Sequence, residues 1–343
     1  MNITHYSKLL MLKMEYQHLK TKSILAAKTA TKVAVGHALC YLPYVGLIPK
    51  PSRKNGISVR ITVKNEEEWI GLNLISIKDF ADEIVIVDAS TDKTPEIIEK
   101  VAARHDLNLK LIHYEPDQTS GTAGEHAEHA NTTLKNTSFR WVLWWEGDYI
   151  AKKSIMDLKK EILSLNPNIY HAISLPAINL EGDIFHQIRD GKLNIQSRLH
   201  TYSDALRYVT KGGFESLHIP PYYKSSYGSI IKKQYHVFHM SSLKSAERIL
   251  FRKFWIKWRE LGNYNKFPTL DDYVAYRIKK DWDIDNFDEA ARYYMNKIFC
   301  KSLVPYDKEQ FGDYPELLKE ELENPRYRVI YKDSEIIGRN DTL

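Results

Sequence analysis

Only two of the 343 residues are cysteine, Cys40 and Cys300, and they lie far apart in the chain. That excludes a disulfide framework and a paired-thiolate metal centre, indicates no redox role, and fits a reducing, cytoplasmic setting. Uninterrupted apolar runs are missing as well. The best candidate span, 24–48, is broken by Lys28, Lys32 and His37, so a bilayer-crossing helix is not expected. Nor is a cleaved signal peptide, because no compact apolar core leads into a small-residue cleavage site. Acidic residues are nearly absent from the start: Lys8, Lys13, Lys20, Lys22, Lys28, Lys32, Lys50, Arg53 and Lys54 face Glu15 alone before Gly56. The net charge of +5 is therefore an N-terminal property. Residues 1–55 read as a basic helical arm, either packed on the main domain or lying peripherally on an anionic membrane surface. No repeat, low-complexity tract or nucleic-acid-binding motif is present.

From Gly56 the texture becomes regular. Strands are expected over 57–63, 83–87, 109–114 and 140–145. Helices are expected over 66–78, with Ile70, Leu74 and Ile77 inward, from a Thr94 cap with Pro95 in the first turn, and over about 125–135. This alternation implies a parallel sheet with helices on both faces, and ligands bind such sheets beyond the carboxyl ends of the strands. Three polar clusters fall there: Lys64-Asn65-Glu66-Glu67, Asp88 to Asp92, and Glu146-Gly147-Asp148. The last ends the run Trp-Val-Leu-Trp-Trp-Glu-Gly-Asp at 141–148. In extended geometry its two carboxylates share a side, roughly 6.5 to 7 Å apart along the backbone. That spacing suits a divalent cation with a phosphate ligand, or simply an acidic turn.

Together these clusters resemble the family 2 glycosyltransferases. The stretch 61–67 is similar to the family's opening strand, 84–94 to its second strand and Ser-Thr-Asp loop, and 141–148 to its Asp-x-Asp metal motif. The resemblance implies an α/β GT-A type fold, a mostly parallel nucleotide-binding sheet over 56–150 followed by a mixed acceptor half over 151–240, with a mainly helical region over 241–343. It also implies a nucleotide sugar donor, a UDP- or GDP-sugar, and Mn²⁺ or Mg²⁺ neutralising the leaving diphosphate. Asn65, Glu67, Asp88, Ser90, Asp92, Glu146 and Arg198 are the implied donor contacts, with Asp148 and His239 the implied metal ligands. This sequence departs from the pattern twice: it lacks a small residue between Asp88 and Ser90, and it has Glu146 where aspartate is usual.

In the second half, strand texture over 170–180, 193–200 and 230–239 is broken by Gly182, Gly191 and the pair Gly212-Gly213. Glu215, in Gly-Gly-Phe-Glu-Ser-Leu-His, resembles the family's acceptor-facing carboxylate and is the candidate general base for an inverting transfer. His236 and His239 are three apart, so on a strand they face opposite ways and do not share a metal. His126 and His129 have helical chelate spacing but no third ligand. The segment 243–261 mixes Arg248, Arg252, Lys253, Lys257 and Arg259 with Phe251, Phe254, Trp255 and Trp258, which fits an amphipathic helix whose basic ends snorkel over an apolar stripe, or a membrane contact. Beyond it come helix to about 301, a short helix near 315–322 and a strand over 327–331. The expected activity is sugar transfer to a glycan, lipid or protein acceptor. The alternatives are a non-catalytic glycan- or surface-binding protein, and a sugar nucleotidylyltransferase, although the glycine-rich phosphate loop of the latter is missing.

Overall fold

The computed structural model describes residues 31, 34, 35, 38–114, 123–188, 194–211, 214–220, 223, 227–260 and 263–341. The expected basic arm lies largely outside them, as do Gly121, Gly191 and Gly212-Gly213. No helix among the described residues is long and apolar enough to cross a membrane.

Four parallel strands make the first half: β1 (Lys54–Val63), β2 (Glu83–Asp88), β3 (Leu109–His113) and β4 (Phe139–Glu146). Helices α1 (Ile70–Ile77), α2 (Thr94–His105) and α3 (Ala123–Lys135) connect them. Ile57, Val59, Ile61 and Val63 turn one side of β1 toward Ile70, Leu74 and Ile77 of α1 and Ile98 of α2, forming the main apolar core. Alternate residues line the other side of the sheet, where Val142 of β4 packs with Ala127, Ala130 and Leu134 of α3. The strand order is β3-β2-β1-β4, so the chain steps outward from β1 and then returns to its opposite flank. This reversal opens a crevice between the carboxyl ends of β1 and β4, the position at which parallel α/β sheets take ligands.

The sheet continues as a mixed half. After β5 (Tyr149–Ala151) and α4 (Ile155–Leu163) comes the long β6 (Tyr170–Glu181), then the short β7 (His186–Ile188). β8 (Asn194–Thr201) runs antiparallel between β4 and β6. β9 (Arg207–Lys211) and β10 (Phe214–His218) form a separate hairpin, and β11 (Tyr227–Ile231) and β12 (Val237–Ser242) run parallel to β6. A mostly parallel sheet flanked by helices and continued by a mixed half is the architecture expected from the sequence.

Helices α5 (Ala246–Glu260), α6 (Leu270–Trp282) and α7 (Phe287–Tyr294) enclose a further core around Leu250, Phe254, Tyr273 and Ile278. On α5 the Lys253 ammonium lies 3.7 Å from the centre of the Tyr294 ring, so this basic helix does lay a charged end over a packed stripe. β13 (Leu303–Pro305) pairs with β7. The C-terminal hairpin is β14 (Tyr327–Lys332) and β15 (Glu335–Asp341).

Three expectations are corrected. The helix expected over 66–78 begins at Ile70, because the Glu66 carbonyl accepts from both Trp69 and Ile70 N–H and closes a turn first. The strand expected over 230–239 is two strands, because Tyr235 N–H closes a turn onto the Lys232 carbonyl between β11 and β12. Thr94 is the first helical residue and not the cap, since its hydroxyl accepts from Glu66 N–H in the neighbouring loop.

Candidate functional site

The loops after β1 and β2 are fastened to each other. Asn65 adopts a left-handed conformation, φ 57°, which asparagine tolerates better than most residues. Its N–H donates to Ser90 Oγ at 2.7 Å, and its Oδ1 accepts from Thr91 N–H at 2.8 Å. Glu67 Oε2 accepts from Lys93 N–H at 3.3 Å, and Asp92 Oδ1 from Thr94 N–H at 3.0 Å. Asp88 is buried and accepts from Ser90 N–H at 3.1 Å, with His113 Nδ1 3.6 Å away. The five residues thus meet along one rim of the crevice.

Across from them β4 ends in a tightly held turn. A side chain on Gly147 would put its Cβ 3.0 Å from Val63 Cγ2 and 3.3 Å from Glu66 Cγ, so the residue between the two carboxylates has to be small. The Asn73 amide donates to the carbonyls of Glu146 at 2.7 Å and Tyr149 at 2.6 Å, fixing the turn from α1.

The two carboxylates then part company. Glu146 meets Arg198 of β8, with Nη1 to Oε1 at 3.4 Å. That guanidinium is buried and stacks 4.7 Å from the Tyr149 ring and 5.2 Å from Trp144. Asp148 instead faces His239 Nε2 at 3.3 Å through Oδ1, and Lys244 Nζ at 3.5 Å through Oδ2. One shared cation between Glu146 and Asp148, the simplest reading of the sequence spacing, does not match these divergent partners. Burial pushes the Asp148 carboxyl up, but His239, Lys244 and Arg252 outweigh it and hold the group far below the usual carboxylate range. The histidine is oriented by Asn179, whose Oδ1 lies 2.9 Å from Nδ1, and it sits edge-on to Tyr149. With Nδ1 donating to Asn179, Nε2 needs either a proton or a metal in order to face a carboxylate oxygen.

Glu66, Lys244 and Arg339 complete the group; Glu66 belongs to the first polar cluster, whereas no motif singles out Lys244 or Arg339. Lys244, buried just after β12, pairs with Glu66 as well as Asp148. Burial pushes the Glu66 carboxyl up to about 7, with Lys244 pulling it down and Asp148 pushing it up. Its Oε2 is buried with no hydrogen-bond partner among the described residues. Arg339, from the C-terminal hairpin, donates to the carbonyls of Lys244 at 2.9 Å and Gly182 at 3.1 Å and is gripped by Asp341 at 2.7 and 2.9 Å. Trp69 Nε1 donates to the Leu243 carbonyl at 2.8 Å, so the segment carrying Lys244 is held from both sides.

Glu215 stands on β10, opposite Thr210 of β9. The hairpin is tied to α3 by two bonds between Asn131 and the Tyr208 backbone, at 2.8 and 2.9 Å. Glu215 Oε2 is 3.9 Å from His126 Nδ1, and the His126 ring in turn lies 5.6 Å from Trp255 of α5. The buried Tyr208 hydroxyl accepts from Arg60 Nε at 2.9 Å. Burial raises its pKa, Arg60 opposes this, and Glu215 and Glu146 both add to it, so these two carboxylates bear on a single hydroxyl. Other histidines stay apart. His236 is pushed down to about 4 by burial and Lys152, and His129 packs edge-on to Tyr114 at 4.0 Å. Among the described residues no three His, Cys, Asp or Glu side chains gather to enclose a metal.

The model for glycosyl transferase family 2 matches residues 58–164. A curated poly(ribitol-phosphate) beta-N-acetylglucosaminyltransferase, TarS of Staphylococcus aureus, is 26% identical over 234 residues, 65% of this chain and 35% of its own length. The chain thus spans about a third of the curated relative. Among solved structures, residues 1–349 of S. aureus TarS with UDP-GlcNAc share 18% identity at a TM-score of 0.38, covering 71% of this chain and 76% of that one. Glucosyl-3-phosphoglycerate synthase from Mycobacterium tuberculosis with Mn²⁺, UDP and glucosyl-3-phosphoglycerate shares 19% at 0.26, covering 42% and 48%. The matched residues 58–164 run from β1 through α4 and supply Glu66, Glu146 and Asp148, so it is this α/β segment that is similar to glycosyl transferase family 2.

Proposed function

We propose that the chain transfers a sugar from a UDP- or GDP-sugar to an acceptor hydroxyl, with inversion at the anomeric carbon. The observation that carries this reading is Asp148, buried and ionised at the crevice beside β1 and β4, with His239 Nε2 at 3.3 Å. Asp148 and His239 offer one oxygen and one nitrogen on the same side, which suits Mn²⁺ or Mg²⁺ completed by diphosphate oxygens and water in place of an all-protein cage. When bound, the ion neutralises charge on the leaving diphosphate. Asn65, Glu67, Asp88, Ser90 and Asp92 form the rim that takes the nucleoside, Asp88 and Glu146 being acceptors for base or ribose donors. Arg198, held by Glu146, steadies the end of β4 and presents positive charge toward the donor. Glu215 takes the proton of the acceptor hydroxyl as that oxygen attacks, and His126 orients it.

Similarity to a beta-N-acetylglucosaminyltransferase supports a hexosamine donor and a glycan acceptor. The test is thermal stabilisation by a panel of UDP- and GDP-sugars in Mn²⁺, Mg²⁺ or chelator, followed by turnover. A ligand at a hundred times its Kd adds about 2.7 kcal/mol of stability. One nucleotide should stabilise the protein and be consumed, with Asp148→Ala abolishing the metal-dependent part. Turnover indifferent to both chelator and Asp148→Ala would remove the metal from the reading. A non-catalytic binding role is favoured by one observation, that Glu67, Ser90 and Asp92 already spend hydrogen bonds on the neighbouring loop. Saturable nucleotide-sugar binding without any turnover would decide for it.

A further inference from the structure

Lys244 lies where a substrate-bound cation would be useful, and it belongs to the chain. Its ammonium is buried, with Glu66 on one side and Asp148 Oδ2 at 3.5 Å on the other. Its backbone is fixed by Arg339 through the carbonyl at 2.9 Å, so the ammonium is aimed from a rigid base. A lysine ammonium has three donors, and Glu66 and Asp148 take two of them. The third has no protein acceptor among the described residues. The site sits where the β1 loop, the β4 turn and the end of β12 meet, beside the carboxylate assigned to the diphosphate end of the donor. Two carboxylates at that place would repel a diphosphate, and a single divalent ion on the His239 side of Asp148 leaves Glu66 uncompensated.

Resting on the transferase reading above, we propose that Lys244 is the resident cation of the diphosphate site. In the free protein it compensates Glu66 and Asp148. In the complex its third N–H donates to a phosphate oxygen of the nucleoside diphosphate. A share of nucleotide affinity therefore persists without a divalent ion, and that share belongs to Lys244.

The experiment is calorimetric titration of UDP and of GDP into wild type, Lys244→Met and the double variant Glu66→Gln/Lys244→Met, each in EDTA and in Mn²⁺. The double variant removes both charges of the pair, so it folds without an isolated buried carboxylate, and thermal melting of the free proteins confirms that each is folded. Wild type should keep measurable binding of one nucleotide in EDTA. Both variants should lose about 10- to 100-fold of it, the worth of one charge-assisted hydrogen bond. A folded variant that binds in EDTA as wild type does would overturn the role of Lys244, and so would wild-type binding that requires Mn²⁺ entirely. If wild type binds neither nucleotide in either condition, the transferase reading itself fails and this inference fails with it.

Discussion

Glutamine at position 66 should make the protein more stable at alkaline pH, although the substitution removes a partner of Lys244. In the fold the Glu66 carboxyl is raised from 4.5 to about 7 by burial, with Lys244 opposing and Asp148 adding. A raised carboxyl favours the protonated form in the native state. Its contribution is full below the unfolded value of 4.5 and is lost as pH rises through 7. That interval, at about 1.4 kcal/mol per pH unit, comes to about 3 kcal/mol. Glutamine imitates the protonated acid and does not titrate. The stability of Glu66→Gln minus that of wild type should therefore climb by about 3 kcal/mol between pH 4.5 and 8.5. Urea unfolding of both proteins at four pH values in that range measures the difference, in which titrating groups remote from Glu66 cancel. A difference that stays flat, with the variant less stable throughout, would mean that Glu66 is ionised beside Lys244 at all these pH values, and the reasoning would be refuted.

Other outcomes follow from the same geometry. Glu215→Gln should lower transfer about 10²- to 10⁴-fold while leaving nucleotide affinity within twofold, measured by steady-state turnover and calorimetry side by side; equal losses in both would remove Glu215 as the base. Arg339→Met leaves the Gly182 and Lys244 carbonyls and Asp341 without their donor, and should cost about 3 kcal/mol in urea unfolding at pH 7; a loss under about 1 kcal/mol would show that the hairpin holds nothing in place. Gly147→Ala forces Val63 or Glu66 aside, and should cost about 1 to 3 kcal/mol and weaken metal-dependent nucleotide binding by calorimetry; unchanged stability and binding would contradict the close approach.

The parallel half of the fold was legible in the sequence because its central strands are covered on both faces. Continuous runs such as Glu83–Asp88, buried throughout, leave little room for another reading. The three polar clusters were legible for a related reason, since a chain leaving a buried strand must turn polar, and here it does so at the same end of the sheet each time. Of the partners of Asp148, His239 came with the family resemblance, whereas Lys244 did not. Lys244 lies 178 residues from Glu66 in sequence, and an isolated lysine before a basic helix looks like one more surface charge. Asn73 and Asn179 were equally silent, since nothing local distinguishes an amide that braces a turn from one in water. No strand is expected over residues 335–341, where Glu335, Arg339, Asn340 and Asp341 outnumber the apolar side chains, whereas Arg339 is buried with the ion pair it brings. Charge pairs formed across long sequence separations leave no periodicity to detect.

The grip of Arg339 on the Lys244 carbonyl also sets an order of assembly. A chain emerging from the ribosome folds from its N-terminal side at about 5 to 20 residues per second. Residues 58–164, with Glu66 and Asp148 in place, are exposed well before β15 exists. Until residue 341 has been made, the segment bearing Lys244 lacks its clasp from Arg339 and Asp341. A nascent or C-terminally clipped chain would hold the two carboxylates without their anchored cation. A chain truncated before Tyr327, and so lacking β14 and β15, should therefore have a disarmed site while its parallel sheet stays folded.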